Sequence, residues 1–187
     1  MGRALVVVDV QVDFCEGGAL GVEGGNRVAA DIAALLADPH GYDAVVATRD
    51  HHIDPGSHFS EEPDFVDSWP PHCVVGTPGQ ELHPALRDVP FDAVFDKGSY
   101  EAAYSGFEGT IGGLADGERL VDWLAHHGVT DVDVCGIATD FCVRATALDA
   151  AREGFATRVL SSLTAAVHRD SVSAVAKELT AARVDWF

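Results

Sequence analysis

Residues 4–8 (ALVVV) form an uninterrupted apolar run that stops abruptly at Asp9. A strand with one wet face alternates apolar and polar residues. A run without alternation is buried on both faces, as in a parallel sheet covered by helices. Comparable runs recur at 44–48, 93–95, 132–137 and 157–160. Helix-like segments separate them: 27–37 before Pro39, 118–127 before Gly128, 140–153 before Gly154, and 171–183. The alternation predicts an α/β protein, a three-layer α/β/α arrangement around a mainly parallel central sheet.

The chain has 187 residues, 47% of them hydrophobic, enough for one well-packed core. No repeat, linker or low-complexity tract interrupts it, so residues 1–187 are expected to form a single domain. The longest apolar runs fall far short of the roughly 20 residues of a membrane span, and the N-terminus lacks a signal-peptide pattern. A cytoplasmic protein is expected, as a monomer or a homo-oligomer. Thirty acidic residues against 12 basic give a formal charge of −18. Such a surface repels phosphate backbones and anionic lipids, which disfavours nucleic acid and membrane as partners and leaves a small molecule.

In open parallel sheets ligands bind beyond the carboxyl ends of the strands. Asp9, Asp50, Lys97 and the segment 136–142 all fall at or just past such ends, so they are expected to converge on one crevice. The stretch 51–79, rich in Pro, His, Ser and Asp, carries neither helical nor strand periodicity, and loops of that length are usually functional. It follows Asp50 and contains His52, His58 and His72. Alternate side chains of extended backbone share a side, so Asp50 and His52 can meet one ion while His51 faces elsewhere. Three imidazoles and a carboxylate suit one divalent transition metal (Fe, Mn or Zn) better than Ca or Mg.

Four cysteines, Cys15, Cys73, Cys135 and Cys142, form no CxxC pair. A free Cys is most often a small buried hydrophobe. Cys142 differs because GIATDFCV (136–143) sets it just after a strand, near the first turn of the next helix, where the macrodipole and free N–H groups favour thiolate. N–H groups near Ala138 and Cys142 are placed to receive the charge on a carbonyl oxygen under attack. Asp9 can take the thiol proton and pass it to a leaving amine, and Lys97 can hold both groups ionised.

Together, VVDVQVDF (7–14), RDHHIDPGSHF (49–59), SWPPHCVVGTPG (68–79), FDKGSYEAAYSGF (95–107) and GIATDFCVRATALDA (136–150) resemble the nicotinamidase/pyrazinamidase family, in particular its mycobacterial form. The resemblance spans almost the whole chain, in the family's order and spacing. It implies the isochorismatase-like hydrolase fold, with Asp9, Lys97 and Cys142 as catalytic triad and Asp50, His52, His58 and His72 as metal ligands. It also implies a cis peptide between Ile137 and Ala138 that aims the Ala138 N–H into the oxyanion hole. An aromatic pocket of Phe14, Trp69 and Tyr104 is implied around a pyridine ring, lined further by Ile137 and Phe141. At Phe141 the chain departs from the family, whose mycobacterial form carries His there and others often Tyr. The implied reaction converts nicotinamide to nicotinic acid and ammonia, and pyrazinamide to pyrazinoic acid.

Two other readings compete. One is an amidohydrolase of the same fold acting on another small amide. The other is a phospho-acceptor signalling domain, whose acidic pocket and lysine Asp9, Asp50 and Lys97 imitate. That second class has no use for the histidine loop or Cys142.

Overall fold

The computed structural model describes residues 2–187. Strands β1 (Gly2–Val8), β2 (Ala44–Asp50), β3 (Ala93–Lys97), β4 (Thr110–Ile111), β5 (Val129–Ile137), β6 (Ala156–Ala165) and β7 (Asp185–Trp186) form one sheet in the order β4-β3-β2-β1-β5-β6-β7. Only β4 runs antiparallel to its neighbour. Helices α1 (Gly25–Ala37), α2 (Leu120–His126), α3 (Arg144–Arg152) and α4 (Val172–Ala181) cover it.

The doubly apolar pattern of β1 divides between two cores. Leu5 and Val7 pack with Val28, Ala29 and Ile32 of α1, whereas Ala4, Val6 and Val8 face Leu124, Ala147 and Leu179 from the other three helices. Each fully buried Val, Leu or Ile contributes about 1.5–3 kcal/mol, so both layers contribute to holding the sheet in place. Among the described residues no helix is long and apolar enough to cross a membrane.

Chain order reverses at β1. From it the chain runs outward through β2, β3 and β4 on one side, then returns to lay β5, β6 and β7 on the other. Such a switch point opens a crevice beyond the carboxyl ends of the two strands flanking it. Here β1 and β5 come unusually close. Gly136 has φ +114° and its Cα lies against the Val8 carbonyl, where a Cβ would stand 2.1 Å from the oxygen.

Three features depart from or add to the pattern read in the sequence. First, β6 runs on through Ser161 and Ser162, polar residues that end the apolar run without ending the strand. Second, β4 and β7 are two-residue edge strands, too short to show any periodicity. Third, the helix expected over 140–153 does not start as an α-helix. Thr139–Val143 is a π-helical turn, because the Ala138 carbonyl accepts from both the Phe141 N–H (3.1 Å) and the Val143 N–H (3.0 Å). Cys142 therefore sits in a widened turn ahead of α3, the kind of irregularity found at functional sites.

Candidate active site

Asp9 leaves β1 in the left-handed region, φ +48°, a conformation Asp tolerates better than most residues. The turn aims its carboxylate across the ends of β2 and β3. There Thr48 Oγ1 donates to Asp9 Oδ1 at 2.6 Å, and the Lys97 ammonium lies 2.9 Å from Asp9 Oδ2. The same ammonium bonds Asp50 Oδ1, donates to the Ala103 carbonyl at 3.0 Å and stands 3.8 Å from Cys142 Sγ. Asp9, Asp50, Lys97 and Cys142 are all buried. The structure thus brings the three expected reacting groups, from β1, β3 and the turn after β5, into contact around one buried cation.

Burial sets the protonation pattern. It pushes the Asp9 carboxyl up, against the opposing pull of Lys97. It also holds the Cys142 thiol well above its ordinary value, with Lys97 again opposing. Burial disfavours the charge on Asp50 as well, but there the Lys97 ammonium wins and keeps its carboxyl well below the usual range. Lys97, between two carboxylates, is held well above the ordinary lysine value once their attraction overcomes desolvation. At neutral pH the site holds a thiol, a lysine ammonium and a carboxylate at Asp50. Asp9 is left as the group poised to exchange a proton, and it shares the Lys97 ammonium with the thiol.

The loop 51–79 folds back on itself through isolated bridges pairing His52 with Val74 and Phe59 with Trp69. This gathers His52, His58 and His72, whose ring centroids lie 5.0–5.5 Å apart. His52 Nδ1 contacts the Gly98 carbonyl at 2.6 Å and His72 Nδ1 the Pro70 carbonyl at 2.8 Å. A carbonyl only accepts, so each Nδ1 carries the proton and each Nε2 presents a lone pair inward, the arrangement of metal-bound histidines. Gly98, at φ +78°, makes room, since a Cβ there would meet His52 Cε1 at 2.8 Å. His52 Nε2 and His58 Nδ1 are enclosed without a hydrogen-bond partner. Burial lowers His58 to about 4, so it is neutral at pH 7. Asp50 Oδ2 lies 3.4 Å from His52 Nε2 and 3.7 Å from His72 Nε2. Imidazole nitrogens enclosed without a hydrogen-bond partner beside a carboxylate fit a divalent transition metal. His51 turns the other way, toward Gln80 and Asp96.

A cleft opens above these groups, lined by Asp50, His58, His72, Ala138 and Cys142 on its polar side. Phe14, Trp69, Tyr104, Ile137 and Phe141 line it too, as the resemblance implies. Trp69 Nε1 donates to the Tyr104 hydroxyl at 3.2 Å, and Phe141 stacks on Tyr104 while meeting Trp69 edge-on. The Ile137–Ala138 peptide is cis. Among the described residues the Ala138 N–H meets no protein acceptor.

Sequence reasoning missed Thr48, Ala103 and Gln11. The Gln11 amide donates to the carbonyls of Asp50 (2.9 Å) and Gln80 (2.8 Å) and accepts from the Asp50 N–H (2.8 Å), clamping the backbone that carries Asp50. The only signal was a polar residue, Thr48 or Gln11, where the surrounding pattern is buried.

Comparison with known proteins gives a consistent family. The Isochorismatase domain matches residues 3–185. The chain is 55% identical over 183 residues to the nicotinamidase/pyrazinamidase of Mycobacterium tuberculosis, covering 98% of this chain and 97% of that protein. Among solved structures, L. infantum PnC1 in complex with nicotinate superposes with a TM-score of 0.86 at 36% identity, covering 100% and 92% of the two chains. The pyrazinamidase of Pyrococcus horikoshii in complex with zinc gives 0.82 at 32%, covering 100% and 99%.

Proposed function

The chain belongs to the isochorismatase family, and from that premise we propose that it is a nicotinamidase, hydrolysing nicotinamide to nicotinic acid and ammonia and pyrazinamide to pyrazinoic acid. The observation that carries this reading is Lys97 touching Asp9, Asp50 and Cys142 at the floor of an aromatic cleft.

The cycle starts as the Cys142 thiol gives its proton to Asp9 while sulfur attacks the carboxamide carbon. Lys97 balances the negative charge passing between them. The oxyanion accepts from the N–H groups of Ala138 and Cys142. Collapse breaks the C–N bond, Asp9 returns its proton to the departing nitrogen, ammonia leaves, and a thioester remains on Cys142. Asp9 then takes a proton from the water that attacks the thioester, and returns it to sulfur as the acid departs. Phe14, Trp69 and Tyr104 hold the ring meanwhile. His52, His58, His72 and Asp50 would hold the metal. When bound, it would supply a Lewis acid for the ring nitrogen.

Ammonia release from nicotinamide, measured beside Cys142→Ala, tests the proposal. Turnover by the wild type that drops at least about a thousandfold in the variant, with metal still bound, is expected. A Cys142→Ala protein that still turns over would remove the thioester route. A wild type inactive on both amides would move the search to other small amides.

A further inference from the structure

The catalytic cleft continues past its mouth. Leu20, Val22 and Val167 line it and also line the start of a second groove, which passes Gly21 and Ala166 and ends at the exposed Glu23–Arg169 ion pair, 2.9 Å. Exposure gives the direction. Of the imidazoles lining the floor, His72 is 2% and His58 4% exposed, whereas at the rim Val22 is buried, Leu20 half-buried and Val167 36% exposed. The rim is also fixed relative to the nucleophile. Asp140, two residues before Cys142, accepts from the Val167 N–H at 2.9 Å and the His168 N–H at 2.8 Å.

Resting on the nicotinamidase reading, the ring enters with its nitrogen toward the imidazoles and its carboxamide toward Cys142. These anchors are meta to each other. One ring carbon, C5, is meta to both, so it points away from both and toward the mouth. C6, beside the nitrogen, stays near the imidazoles. We propose that the groove walled by Leu20, Val22 and Val167 is a subsite for an apolar arm on C5, so that the enzyme hydrolyses 5-alkylnicotinamides more efficiently than nicotinamide itself.

The arm touches no reacting atom, so its binding is uniform along the reaction and lowers KM rather than raising kcat. Each methylene taken out of water at such a half-open wall is worth roughly a twofold gain in kcat/KM, and up to fourfold if fully enclosed. An alkyl group meta to the carboxamide changes its electrophilicity little, which makes nicotinamide a fair reference.

The experiment compares kcat and KM of metal-loaded wild-type enzyme on nicotinamide, 5-methylnicotinamide, 5-propylnicotinamide and 6-propylnicotinamide. The expected result is a stepwise fall in KM along the 5-substituted series, at least fivefold in kcat/KM at propyl, with 6-propylnicotinamide more than tenfold worse than nicotinamide. Good turnover of nicotinamide with 5-propylnicotinamide slower would overturn the subsite alone. Equal gains for both propyl isomers would overturn its position. No turnover of nicotinamide would overturn the parent reading, and this one with it.

Discussion

Lys97 ends a strand inside the protein, and every direction around its ammonium is taken: Asp9, Asp50, the Ala103 carbonyl and the Cys142 sulfur. Lys97→Met would leave two buried carboxylates facing each other without a counter-charge. Breaking such a group costs about 3–5 kcal/mol, so the variant should lose both turnover and stability, read by ammonia release and chemical denaturation. Thr48 sets a subtler balance. Its hydroxyl bond favours the ionised form of Asp9, while burial favours the protonated one. Asp9 must be ionised to accept the thiol proton, so kcat/KM falls as pH drops through its raised pKa, above the usual carboxylate value near about 4. Thr48→Val removes the bond, raises that pKa further and should move the acid limb of the pH–rate profile to higher pH. A limb that stays put would mean another group titrates there. Asp9, Asp50 and Lys97 were legible in the sequence because a charge at the end of an apolar run contradicts its surroundings. Thr48 and Gln11 were not, because their partners lie 39 residues away in sequence.

The long strands were legible because burial on both faces removes alternation. The edge strands β4 and β7 left no trace in two residues, and the π-helical turn looks like ordinary helix until the double acceptance by Ala138 is seen. The histidine loop was recognisable as functional by its length and composition, but its folding depends on isolated bridges no pattern announces. Gly136 is the element-scale counterpart of Lys97. Gly136→Ala would place a methyl 2.1 Å from the Val8 carbonyl at a φ of +114°, so β1 and β5 must part. A loss of at least about 2–3 kcal/mol is expected from the clash and the backbone conformation together. Turnover should fall with it, since Asp9 and Cys142 lie on opposite sides of that contact. Denaturant midpoints and ammonia release check both. An alanine variant of wild-type stability would show that the strands can repack.

Across the whole molecule, charge works against compactness. With 30 acidic and 12 basic residues, and one of only two lysines buried at the active site, the surface repels itself at neutral pH. Sodium chloride shortens the reach of that repulsion from about 10 Å at 0.1 M to about 3 Å at 1 M, so the melting temperature should rise over this range. A flat or falling melting curve would mean that local ion pairs such as Arg144–Glu178 offset the repulsion already.

The reversal of chain order at β1 also sorts the chemistry by sequence. Everything up to β4 carries Asp9, the histidines, Asp50 and Lys97; everything from β5 onward carries Ala138 and Cys142. The exposed turn at 114–116 divides the two inventories. A chain opened there would yield one fragment with the acid–base and ligand groups and another with the nucleophile, each ending in a raw sheet edge and each inert alone. Hydrolysis would then report one event, the closing of the seam between β1 and β5, and the active site would serve as a gauge of whether the sheet is whole.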